Sequence, residues 1–73
     1  MIAKRFFVNK IRELGYTHHE QKKRVDIWRK RGGDHYVSIP RCDNLEDAYV
    51  VSTLRQCGLK DPEIKRFVTE SNS

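Results

Sequence analysis

Three histidines, His18, His19 and His35, and two cysteines, Cys42 and Cys57, are the residues of this chain best suited to proton transfer, nucleophilic attack or metal binding. An imidazole titrates near neutral pH and is the usual general base. Two adjacent histidines on a strand point to opposite faces, however, so His18 and His19 are not placed to act together. The histidines and Cys42 show no zinc-ligand spacing, and neither a metal nor a cofactor is expected. Cys57 falls on the apolar stripe of a helical segment, which suits an inert core thiol. Cys42 has Arg41 beside it, but no base is placed for it by spacing. Acidic residues are scattered, and Gly32-Gly33 reads as a turn rather than a phosphate loop. These groups favour a binding module over an enzyme.

The strongest signal is a run of cations. Lys22 to Arg31 reads KKRVDIWRKR, with six basic residues and one acid. The chain holds 15 basic and 10 acidic residues for a net charge of +5, so the whole surplus lies in this run. The run also alternates: Val25 and Ile27 point one way, and Asp26, Trp28 and Lys30 the other. Such alternation predicts a strand. A basic strand with an exposed tryptophan suits a polyanion, above all a nucleic acid. Lys22, Lys23, Arg24, Arg29, Lys30 and Arg31 would contact phosphates. Trp28 would stack on a base or support the strand, since alternation alone leaves open which side of the strand faces the helices. The same surface could instead dock an acidic protein partner without catalysis. Double-stranded DNA is a further reading, since a two-stranded ribbon fits a major groove.

The elements that must carry these residues follow from periodicity. Ala3, Phe7, Ile11 and Leu14 recur at helical spacing, with Phe6 and Val8 widening the stripe, and predict a helix over 2–14 stopped by Gly15. Strands are expected at about 16–23, 25–31 and 35–39, with Gly32-Gly33-Asp34 as a turn and Pro40 as a terminator. A second helix over 45–57 carries Val50, Val51, Leu54 and Cys57 on one stripe, with Asn44 as its N-cap and Gly58 as its stop. Asp61-Pro62-Glu63 reads as an N-cap followed by the first helical turn of a short helix over 62–69, and the tail from Thr69 to Ser73 should fray. Three sequential strands on short turns form an antiparallel meander. The expected fold is α+β, order α-β-β-β-α-α, a single domain over 1–73 with helices on one face of a three-stranded sheet.

A chain of 73 residues with 37% hydrophobic content builds only a small core, rich in its seven aromatic side chains. No apolar run approaches the roughly 20 residues that cross a bilayer, so no membrane association is expected. The N-terminal MIAKRFFVNKIREL interleaves charges with apolar residues and is no signal peptide, although its basic, acid-poor amphipathicity is shared with organelle-targeting segments. Two thiols without an export signal suggest a cytoplasmic protein.

Leu14-Gly15-Tyr16, Val37-Ser38-Ile39-Pro40 and the helix end Thr53-Leu54-Arg55-Gln56-Cys57-Gly58-Leu59 resemble the HicA toxin family over roughly residues 3 to 68. The family commonly has alanine where Cys57 stands. The resemblance implies a fold like the double-stranded RNA-binding domain, mRNA endoribonuclease activity in a toxin–antitoxin system, and a HicB-like antitoxin partner. The family's catalytic histidine opens the second strand, and that position falls on Val25, after Arg24, or on Asp26 if the alignment slides by one residue. Valine cannot accept a proton. Cleavage would then need a relocated base, for which His18, His19 and His35 are the candidates. Otherwise the chain is an RNA-binding relative that has lost catalysis.

Overall fold

A computed structural model describes residues 1–72. In order, the elements are β1 (Ile2–Ala3), α1 (Lys4–Glu13), β2 (Tyr16–Gln21), β3 (Val25–Lys30), β4 (Tyr36–Pro40), β5 (Asn44–Leu45), α2 (Asp47–Gln56) and α3 (Asp61–Ser71). The fold is α+β, with an antiparallel sheet in the order β2-β3-β4 and the helices on one of its faces.

Alternation decides which side chains that sheet buries. Tyr16, Trp28, Val37 and Ile39 point toward the helices and join Phe7, Ile11, Val50, Leu54, Leu59 and Ile64 in the core. Val25 and Ile27 point the other way and are only half-buried. The tryptophan therefore lies on the covered face, a choice that alternation left open, and not on the exposed face that a stacking role needs. It retains 6% of its surface, because burying a large ring on a small sheet gains more than exposing it.

Both glycine stops hold for the expected reason. Gly58 sits at φ +95°, its N–H bonding Arg55 O at 3.1 Å and the Leu59 N–H bonding Leu54 O at 3.2 Å. This pair of bonds is a Schellman ending, sealed by Leu59 against the core. Gly15 is likewise at φ +95° and sends the chain from α1 into β2.

Other boundaries moved. The first helix begins at Lys4 rather than residue 2, because Ile2 and Ala3 form an antiparallel ladder with Leu45 and Asn44. That ladder buries Ile2 completely. It also takes Asn44 out of the N-cap role, which falls to Glu46 without a side-chain hydrogen bond. The first strand of the meander stops at Gln21, since the Lys22 N–H turns back to Val25 O at 2.9 Å. Pro40 is inside β4, whose edge position tolerates the missing donor. The last helix is not short. It runs from Asp61 to Ser71, with Lys60 rather than Asp61 at the N-cap and Pro62 within its first turn. Asn72 ends it and donates to the Asp47 carboxylate at 3.1 Å, so the expected fraying does not extend to Asn72. Ser73 lies outside the described residues.

Ile2→Ala tests the unforeseen ladder. Truncating a fully buried isoleucine costs about 2–5 kcal/mol, so urea unfolding should show a large loss of stability. The truncation of an exposed side chain such as Met1 should cost less than about 0.5 kcal/mol.

Candidate nucleic-acid interface

The cationic run is divided by the strand that carries it. Lys22, Lys23 and Arg24 form the β2–β3 turn, where all three are exposed. Among the described residues none of their side chains has an ion-pair or hydrogen-bond partner. Arg29, Lys30 and Arg31 lie at the opposite end of β3, about 17 Å away at about 3.4 Å per residue.

The second group is not uniformly free. Lys30 Nζ donates to Leu14 O at the end of α1, and it lies 5.4 Å from the centre of the Tyr16 ring. A cation here is favoured by the helix C-terminus, so Lys30 is occupied in closing the fold. Arg29 donates through Nε to Gly33 O at 3.1 Å and lies 4.0 Å from the Asp34 carboxylate. That pair is solvent-exposed and of little energetic weight. Arg31 is exposed and unpaired among the described residues. Trp28 is removed from any stacking surface: the Arg12 guanidinium lies 5.2 Å from its ring centre and the His18 ring meets it edge-on at 5.5 Å.

Arg41, which the sequence marks as the neighbour of Cys42, belongs with the β2–β3 turn. Its Nη2 donates to Lys22 O at 2.7 Å and lies 3.5 Å from the Asp26 carboxylate, while its N–H bonds Arg24 O at 3.3 Å. It braces the turn that presents Lys22 to Arg24. Its signal was only its place after Pro40, too little to assign it to a hairpin some twenty residues earlier in the chain.

The histidines are dispersed. His18 faces the helices, with Nε2 3.7 Å from Asp26 Oδ1, the carboxylate that Arg41 also approaches. His19 points to the open face, its ring 5.4 Å from that of Tyr36. His35 precedes β4, with Nδ1 hydrogen-bonded to the Tyr16 hydroxyl at 2.5 Å. No group of three or more metal-ligating side chains gathers among the described residues. Val25 is half-buried and pairs with Pro40.

The two thiols sit in different surroundings. Cys42 is exposed and donates to Asn44 O at 3.1 Å. Burial pushes the Cys57 thiol up from its ordinary pKa, and the nearby Tyr16 hydroxyl and Lys30 only partly oppose this. No described helix is long and apolar enough to cross a membrane.

Burial, followed by interaction with Cys57, raises the Tyr16 phenol well above its usual range, and burial raises Tyr49 as well. The folded chain then keeps protons that the unfolded chain releases above about pH 10. Their contribution to stability is intact below that pH and is lost as the pH rises beyond it, by up to about 1.4 kcal/mol per pH unit for each phenol. Tyr16→Phe should make the alkaline loss of stability shallower in urea unfolding measured across that range.

No family model, curated protein or solved structure matches this chain.

Proposed function

We propose that this chain is a cytoplasmic RNA-binding protein of HicA-like type, gripping phosphates through the β2–β3 turn and partnered by a HicB-like antitoxin. The observation that carries the reading is the set of three consecutive exposed cations, Lys22, Lys23 and Arg24, with no carboxylate of their own among the described residues. Unpaired cations at a hairpin tip displace counterions from a phosphate backbone without first breaking internal pairs. The motifs around Gly15, Pro40 and Gly58 support the family assignment.

Cleavage needs a base that Val25 cannot supply. His18 has the most suitable surroundings, because the Asp26 carboxylate stands 3.7 Å from its Nε2 and the Arg41 guanidinium contacts that same carboxylate. The carboxylate would orient the ring, and the guanidinium would offset charge on a phosphate. Labelled RNA incubated with wild type, His18→Gln, His19→Gln and His35→Gln decides the matter. Loss of about 10²- to 10⁴-fold in rate on His18→Gln alone identifies the base. Intact RNA with wild type makes the chain a binder without catalysis.

Binding is tested with single-stranded RNA, duplex RNA and duplex DNA at two salt concentrations. Joint reversal of Lys22, Lys23 and Arg24 to Glu should weaken RNA binding and flatten the salt slope by about 2, the value for three single-strand phosphate contacts. Equal, weak binding to all three nucleic acids would overturn the RNA reading and favour an acidic protein partner. A preference for duplex DNA would favour the groove-binding alternative.

A further inference from the structure

The face of the sheet turned away from the helices carries a feature that the phosphate grip does not explain. Rings from β2 and β4, strands that are not neighbours, meet above the strand between them. The His19 and Tyr36 ring centres are 5.4 Å apart and edge-to-face at 61°, although their strands are separated by two spacings of about 4.8 Å. Both rings must therefore lean over β3. A bulge in β2 prepares this: His18 pairs with Trp28 and Glu20 with Ile27, leaving His19 between them without a partner on β3. Bulges re-aim side chains in this way.

The surroundings of the ring pair suit a flat, polarisable, negatively tethered ligand. Tyr36 is 48% exposed, and its hydroxyl has no partner among the described residues. Half-buried Ile27 lies beneath, and Arg29 pairs with Tyr36 in the ladder, its guanidinium held in place by Gly33 O. Free cations stand beyond both ends of β3, Lys22 to Arg24 at one and Arg31 at the other. Glu20, on the outer strand β2, is the one acid among the outward-facing strand residues.

We propose that this open face is a stacking platform for the bases of single-stranded RNA, with the His19–Tyr36 pair as its centre. The proposal rests on the RNA-binding reading and adds the form of the nucleic acid. Bases in a duplex are already stacked, so duplex RNA meets a protein through its phosphates, 2′-hydroxyls and shape. An unpaired base offers a free π-face, and aromatic side chains on a sheet accept it with little regard to sequence. The flanking cations would hold the backbone on either side of the stacked base.

The probes are an end-labelled unstructured RNA strand, a strand of the same length lacking its bases, and a duplex RNA, each titrated with the full chain. Tyr36→Ala should lower affinity for the base-bearing strand about tenfold, equal to about 1.4 kcal/mol, and leave the other two unchanged. His19→Ala should shift affinity in the same direction, and Tyr36→Phe should retain wild-type binding. The wild-type protein itself should bind the baseless strand about tenfold more weakly than the base-bearing one, a comparison that needs no variant to fold. Equal wild-type affinity for those two strands, or a Tyr36→Ala loss common to all three probes, overturns the platform. The Lys22, Lys23 and Arg24 reversal separates the two levels. If it weakens binding to every probe while the baseless strand equals its parent, the phosphate grip stands and the platform fails. If wild type binds none of the probes, both fall.

Discussion

The choice of which side of β3 meets the helices governs the rest of this molecule. A strand alternates with a period of two, so a slip of one residue would exchange its buried and exposed sets. Packing Trp28 inward, between Arg12 on α1 and His18 on β2, commits Lys30 inward as well and sends Ile27 and Arg29 outward. The ladder to β4 repeats the choice, with Val37 and Ile39 buried opposite Trp28 and Asp26.

This constraint accounts for the fate of a cationic run that looks uniform in one dimension. Lys30 is drawn to the carbonyl end of α1, where it supports the same turn that Gly15 makes possible. Arg29 is pinned by its own hairpin. Only residues outside the strands, at the β2–β3 turn and just after β3, escape these internal uses. Charge density along the sequence therefore overstates the charge a ligand would meet, and the turn carries more of it than the strand.

Much of the architecture was legible because it rests on local rules. The spacing of Phe7 and Ile11, the glycines after the first two helices and the Gly32-Gly33-Asp34 turn each reflect nearby backbone or burial requirements. Three features were not legible. The Ile2–Ala3 strand is too short to show a period, and it exists only because Asn44 and Leu45 arrive beside it. The orientation of Trp28 was hidden because both faces of β3 carry residues that favour strands. The bulge at His19 has no glycine to mark it, and it shows only in the register against β3. The candidate site was thus half readable: the turn cations stood out by composition, while Arg41 and the His19–Tyr36 ring pair needed the fold to bring distant segments together.

The small ladder between Ile2–Ala3 and Asn44–Leu45 has a kinetic consequence. The two hairpins of the sheet close over a few residues each, whereas this seam joins positions separated by more than half the chain. Closing so long a loop carries a larger entropic penalty, and its reward is one short pairing and the burial of Ile2. The meander and its covering helices can assemble before the seam is stitched. In the native state the same seam should be among the first regions to breathe, with backbone amides at Ile2 to Lys4 exchanging ahead of those in β3.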